Sequence, residues 1–369
     1  MENFKNACSK FNEAGQPARV AGAEVNIGNV YSIQKEYDKA EIHWKIASEI
    51  NQSIGNLEQE GILLQSLGVF YYDRTRYESA VQAYLKANII FLNLGKDLRR
   101  AQTLWNLGEV FLSLGEYQKV IDSINEARLL FEKLENMEEM IDVIFLLGRM
   151  YYKIGFNDKL EETYNEFISN FSNPNKPVNY ENLKTLFEQW MAFNKMGKIS
   201  QDKMNTLRNE FLKREDFKNY IESVFLITRY YIHKKQYKEA LEELNRAELM
   251  ELCSQNSILE AEREYFFGII SKRHTSEKLL PPMVYFEKAY ELIKDNSITE
   301  LTWKVLYEIS ELYIDRGNLN KAKHFITYTR ELIYFIAERI QSPRLRAAYL
   351  RQDERFNTLK KLESFYPQF

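Results

Sequence analysis

Leu104-Trp105-Asn106-Leu107-Gly108-Glu109-Val110-Phe111 has a counterpart forty residues before it, Leu64-Gln65-Ser66-Leu67-Gly68-Val69-Phe70-Tyr71, and another forty residues after it, Ile144-Phe145-Leu146-Leu147-Gly148-Arg149-Met150-Tyr151. A fourth copy surrounds Gly28, with Ile27 before it and Tyr31 after it. Each copy keeps an aliphatic residue before the glycine and an aromatic one three residues later. A fixed period of this length marks units that cannot bury their apolar faces alone and must stack on their neighbours.

The second half of each unit repeats as well. Twelve residues after the glycine stand Ala40, Ala80, Val120 and Leu160; four further on, Trp44, Tyr84, Ile124 and Tyr164; three further on, Ala47, Ala87, Ala127 and Phe167. This is helical spacing. Small residues on one helix let an antiparallel partner approach, and the aromatic and aliphatic positions fill the seam. Polar breaks with one aromatic, Lys35-Glu36-Tyr37-Asp38, Thr75-Arg76-Tyr77-Glu78 and Gly115-Glu116-Tyr117-Gln118, separate the two helices. The frame continues through Phe187 and Met191, then Ile227, Tyr231, Ala240, Leu244 and Ala247, then Phe267, Gly268, Phe286 and Ala289. A last copy, slipped by two residues, has Ile309, Tyr313, Ala322 and Ile326. That makes about eight units.

These positions resemble the tetratricopeptide repeat. The resemblance covers most of the chain and departs from the pattern at Glu188, where a small residue is expected, and at Pro281-Pro282. The family's usual period is about 34 residues, so a forty-residue period implies longer helices, a form that recurs in peptide-sensing bacterial regulators and spindle-orientation adaptors. The resemblance implies an all-α solenoid, a right-handed superhelix of antiparallel helix pairs. Residues 1–16 are expected to be a capping helix or a truncated half-repeat, 17–170 repeats one to four, 171–182 a hinge loop around Pro174, 183–341 repeats five to eight, and 342–369 a C-terminal capping helix. In that cap Leu350, Phe356, Leu359 and Leu362 would share one face.

Composition agrees. There are 14 Gly and 7 Pro in 369 residues, and no long alternating β-branched runs argue for strands. A net charge of −3 disfavours nucleic acid as the partner, since neutralising phosphates needs a basic face. No stretch is apolar enough for a membrane span. Cys8 and Cys253 form no disulfide framework, which fits a cytoplasmic location. The four histidines lack metal-ligand spacing, no phosphate-binding loop is present, and Cys8 has no base nearby in sequence. The chain is therefore read as a non-enzymatic interaction scaffold without cofactor or metal, a monomer or weak homodimer.

The candidate binding lane lies two residues before and one after each glycine. In the first three units it carries Asn26 and Asn29, Ser66 and Val69, Asn106 and Glu109. Side-chain amides supply both donors and acceptors, so they can hold the backbone of an extended peptide whatever its sequence. In some tetratricopeptide proteins an asparagine just before the Leu-Gly pair does this, and Asn26 and Asn106 match it. Further along, Arg149, Lys153, Arg229, His233 and Arg273 suggest a basic stretch suited to an acidic or phosphorylated segment, followed by the acidic Glu308, Glu311 and Asp315. The clamp that grips a chaperone's C-terminal carboxylate is not matched, because Val25 and Gln102 stand where it has lysines and Asn106 where it has arginine. The partner expected is a protein or peptide segment, for an adaptor or regulatory module, or alternatively for a peptide-sensing regulator whose superhelix closes on its ligand.

Overall fold

The computed structural model describes residues 2–171, 176–274, 276–295 and 299–365. Among them every regular element is an α-helix. After α1 (Glu2–Glu13) come α2 (Pro17–Ile33) with α3 (Tyr37–Ser53), α4 (Leu57–Asp73) with α5 (Tyr77–Asn93), α6 (Asp97–Ser113) with α7 (Tyr117–Lys133) and α8 (Met137–Ile154) with α9 (Asn157–Asn170). Then follow α10 (Tyr180–Met196) with α11 (Gln201–Lys213), and α12 (Phe217–His233) with α13 (Tyr237–Leu244) and α14 (Ala247–Ser254). After them stand α15 (Ser257–Arg273) with α16 (Pro282–Ile293), α17 (Glu300–Asp315) with α18 (Leu319–Glu338), and finally α19 (Pro343–Arg351) and α20 (Asp353–Phe365). The eight pairs follow the forty-residue frame. Ser172 to Asn175, the centre of the expected hinge, lie outside the described residues.

The glycine notches work as the frame implies. A Cβ on Gly68 would stand 2.4 Å from the Tyr84 ring, so only glycine admits that ring. Gly148 is the exception: its notch holds Phe187 of the next pair, 2.0 Å from where a Cβ would sit. Tyr164, expected there, instead donates its hydroxyl to Glu188 at 3.0 Å. Glu188 therefore gains a polar partner in the unit where the small residue is missing.

A finer regularity lies in the joints. Gly15, Lys35, Gly55, Thr75, Gly95, Gly115, Glu135 and Gly155, spaced by twenty, all have left-handed φ, from 54° at Glu135 to 72° at Gly155. The next amide then donates to the carbonyl five residues back, as in Glu36 N–H to Tyr31 O at 2.9 Å and Asn136 N–H to Phe131 O at 3.0 Å. This satisfies carbonyls that a helix end leaves open. Both halves of a repeat thus close in the same way.

The chain forms two compact units, Met1–Tyr72 with Glu78–Leu107, and Asp73–Tyr77 with Gly108–Phe369. In the first, Ala21, Ala40, Trp44, Ala47, Leu63 and Phe70 form a buried cluster. In the second, an aromatic core gathers Phe145, Tyr152, Phe167, Phe187 and Trp190, with Tyr152 and Trp190 stacked at 5.2 Å.

Two expectations for the second unit are corrected. The outer helix of the sixth pair does not run through Ala247, which is exposed; it breaks at Asn245 and Arg246 into α13 and α14. There Arg263 Nε donates to the freed Leu244 carbonyl at 2.8 Å, and Arg246 turns back onto Glu243. The C-terminal cap is likewise two helices, because the backbone at Gln352 is extended. Leu359 and Leu362 are buried, but Phe356 is 52% exposed.

That break turns Arg355 inward. Its guanidinium donates to Glu300 Oε2 at 2.7 Å, to the Ile154 carbonyl at 3.0 Å and to the Tyr349 carbonyl at 3.2 Å, and lies over the Tyr349 ring at 4.0 Å. Tyr117 and Tyr349 both donate their hydroxyls to Glu300 Oε1, at 3.1 and 2.7 Å. Arg339 pairs with Glu116 beside them. The C-terminal helices and α17 are in this way fastened to the start of α7 and the end of α8.

Candidate functional site

On the first unit the expected lane is largely open. Asn26, Asn29, Ser66 and Val69 are exposed, and Asn106 is half-buried. These side chains project from α2, α4 and α6 at equivalent positions because each helix starts in the same register after its joint. The indole N–H of Trp44 donates to Asn29 Oδ1 at 3.1 Å, which fixes the amide and leaves its NH2 group as donor. Ser66 donates to the Ile62 carbonyl of its own helix at 3.1 Å. The lane is uncharged along these positions, so it can satisfy a peptide backbone but offers no ionic selectivity.

On the second unit the expectation of an open charged lane is corrected. Glu109 and Arg149 are buried, 7% and 4% exposed, and bonded to each other at 3.2 Å. Lys218, from α12, joins them at Glu109. Lys153 pairs with Glu222 at 2.9 Å; Arg229 pairs with Glu262 at 2.7 Å and donates to the Tyr152 hydroxyl at 3.3 Å. Glu308 pairs with Lys272 at 2.8 Å, and Glu311 with Lys361. The physical reason is that opposite charges on different helices, brought together within this unit, meet each other before any ligand arrives. His233 and Arg273 are exposed; His233 packs edge-on to Phe193 and closes over Gly197.

The cluster has a consistent electrostatic pattern. Burial would raise the Glu109 carboxyl, but Lys218 and Arg149 outweigh it and hold it below the ordinary range. Burial likewise works against ionised Glu222, yet Lys153 and Arg149 lower it to about 2. Asp142 fares otherwise: burial, then the nearby Glu109, raise it to about 6, only partly opposed by Lys218 and Arg149. Burial and Arg149 together push the Lys218 ammonium down to about 8 against the pull of Glu109.

Sequence reading missed Asp142, Lys218, Glu222 and Glu262. Lys218 stands more than a hundred positions from Glu109, and no spacing rule links them. It also missed that Cys8 meets a base-like pair: its thiol donates to Glu24 at 3.2 Å, and Glu24 bonds His43 at 2.6 Å. Burial and the Glu24 carboxylate push that thiol up to about 11, so it is not activated as a nucleophile. Among the described residues no group of three or more His, Cys, Asp or Glu side chains could hold a metal ion, and no helix is long and apolar enough to cross a membrane.

No protein-family model matches the chain. No curated protein matches it in sequence. Solved structures do match. Aspartyl phosphate phosphatase F from Bacillus subtilis superposes with a TM-score of 0.55 at 18% identity, over 68% of this chain and 63% of that one, so the match spans less than two thirds of that protein. A Rap protein complexed with competence and sporulation factor matches with a TM-score of 0.52 at 12% identity, over 92% of this chain and 99% of that one. The apo form of the quorum sensor NprR from B. thuringiensis gives 0.51 at 12% identity, over 90% and 97%. At these identities the likeness is one of fold. In fold, the chain is an all-α array of tetratricopeptide-like helix pairs.

Proposed function

We propose that the protein is a peptide- or segment-binding module, an adaptor or regulatory part of a signalling system, and that it holds its ligand in extended form on the lane of Asn26, Asn29, Ser66 and Asn106. The observation that carries this reading is the contrast between the two units. Amide and hydroxyl groups stay open to a ligand on α2 and α4, whereas Arg149, Lys153 and Arg229 are already engaged by carboxylates. Recognition of a ligand backbone by side-chain amides therefore takes precedence over recognition by charge, and an acidic or phosphorylated ligand is not required. That a structural neighbour is complexed with competence and sporulation factor supports a binding role. Chemistry on a substrate has no part in this reading, although one neighbour is called a phosphatase.

The test is binding of a partner segment recovered by pull-down from the source proteome. Asn26→Ala and Asn106→Ala should each weaken it by about 1 kcal/mol, the value of one hydrogen bond to a ligand amide left unsatisfied. Arg229→Ala and added salt should leave it little changed. Loss of binding on Arg229→Ala or in salt, with the asparagine variants unaffected, would move the site to the second unit. A second reading, ligand-driven closure, is favoured by the Glu109, Arg149 and Lys218 contact alone, since it joins the third, fourth and sixth pairs through ions that a ligand could exchange.

A further inference from the structure

The turns that join inner to outer helices change character along the chain. In the first three pairs, residues 33–39, 73–79 and 113–119 each carry as many acidic as basic residues, and in the fourth, 153–159, the basic ones exceed by one. In the fifth to eighth pairs, residues 195–203, 233–239, 271–278 and 315–324 each hold three Lys or Arg and one Asp or Glu. That is a formal +2 apiece in a chain whose net charge is −3. The repeat frame does not demand this excess. A joint at the other end of these helices, Lys213-Arg214-Glu215-Asp216, is neutral.

The four turns lie on one edge of the second unit. Each inner helix is followed by an antiparallel outer one, so α10, α12, α15 and α17 run the same way and end side by side. Contacts tie the ends together: His233 of α12 packs edge-on to Phe193 of α10, His274 stacks on Tyr237 at 5.4 Å, and Lys272 of α15 pairs with Glu308 of α17 at 2.8 Å. Lys195 and Lys203 are also engaged, by Glu161 at 2.6 Å and Glu188 at 3.7 Å. Lys198, Lys234, Lys238, Arg273, Arg316 and Lys321 are exposed and make no ion pair among the described residues. Beside these cations stand single apolar side chains, Met196, Leu280 and Leu319, which are 62%, 55% and 42% exposed. Ser271 donates to the Leu280 carbonyl at 2.6 Å and so holds that residue to the end of α15.

The charge of this edge asks for a polyanion, and its chemistry says which kind. Lysine outnumbers arginine there ten to two. Lysine is a mobile point charge, whereas a fixed array of carboxylates or phosphates is gripped best by the planar fork of arginine. Each apolar tip stands on its own turn among cations, in the manner of separate anchors rather than the lining of one pocket. A fluid anionic surface needs neither fork nor pocket: it accepts cations wherever they stand, and apolar tips that reach its headgroup level. We propose that this edge of the second unit docks on an anionic lipid bilayer, with its lysines against the headgroups and Met196, Leu280 and Leu319 entering the interface. Docking of this kind is independent of the asparagine lane on the first unit.

Co-sedimentation of the full chain with lipid vesicles tests this. The chain should sediment with vesicles of phosphatidylcholine and phosphatidylserine at low salt, stay in solution with phosphatidylcholine alone, and be released as salt is raised. Lys234→Glu with Lys238→Glu should weaken binding by at least about tenfold. Lys35→Glu with Lys45→Glu, an equal change of net charge on the first pair, should leave it unchanged. Leu280→Ser with Leu319→Ser should weaken it several-fold at every salt concentration, because apolar burial is not screened. Circular dichroism checks that each variant is folded. Equal binding to both vesicle types or to neither overturns the proposal, as does an equal loss in the first-pair control or a leucine variant that binds like the wild type. Binding to polyglutamate or to duplex DNA in place of the vesicles also overturns it, and would assign the edge to an acidic protein or a nucleic acid.

Discussion

Asp142 is held in a place that suits its neutral form, and stability should record this. Its carboxyl is raised to about 6, so between roughly pH 4 and 6 the folded chain keeps a proton that the unfolded chain has released. Its contribution to stability therefore improves as the pH falls through 6 and is unfavourable at neutral pH. Asp142→Asn keeps an acceptor for Asn179, which donates to Asp142 at 3.4 Å, and removes the charge. We expect that variant to be more stable at pH 7.5 by on the order of 2 kcal/mol and equal to the wild type near pH 4, as read from thermal melts. Glu222 has the opposite sign. Lowered to about 2, it contributes stability above its ordinary range, and this is lost as the pH falls from about 4.5 towards 2. Neither role was legible in the sequence, because each depends on charges brought in by other repeats. The exposure of Asn26, Asn29 and Ser66 was legible, because it follows from the glycine frame alone.

The helix is the scale at which the sequence reads best, and the joints show where reading stops. Gly28, Gly68 and Gly108 mark helix pairs because a ring or aliphatic side chain must enter where a Cβ would be. The twenty-residue step of the joints is less visible, since Lys35, Thr75 and Glu135 take the left-handed conformation that Gly55 and Gly95 take without strain. Only the hydrogen bonds that close these helices reveal Lys35 and Glu135 as equivalent to Gly55 and Gly95. Glu135→Gly should relieve the steric cost of a left-handed side-chain-bearing residue and raise stability by about 1 kcal/mol, with a higher melting temperature and unchanged helix content. A lowered melting temperature would mean that the unfolded chain's gain in freedom outweighs the relief. The split between α13 and α14 was illegible for another reason: Ala240, Leu244 and Ala247 satisfy a helical pattern, but Arg263 and Arg208 offer tertiary partners that reward a broken one.

At the scale of the second unit, Glu300 and Arg355 join parts of the chain that lie far apart in sequence, and no local pattern announces it. Arg355 is 2% exposed, so Arg355→Ala leaves the half-buried Glu300 carboxylate without its counter-ion. The expected loss is about 3 to 5 kcal/mol, with faster amide exchange at residues 116, 117, 154 and 155. Glu300→Gln with Arg355→Met should cost less than either change alone, since no charge is then stranded. A single variant that melts like the wild type would show that this contact does not fasten the unit. The closure also acts as a gauge of length. Tyr117 and Ile154 reach Glu300 and Arg355 only when the intervening pairs carry the chain through a set rotation and rise. In evolutionary terms, duplication or loss of one period between α8 and α17 breaks the register of this contact, whereas the same event between residues 17 and 96 leaves it intact. Descendants of this gene should vary in repeat number on the N-terminal side of residue 108 and keep it constant beyond.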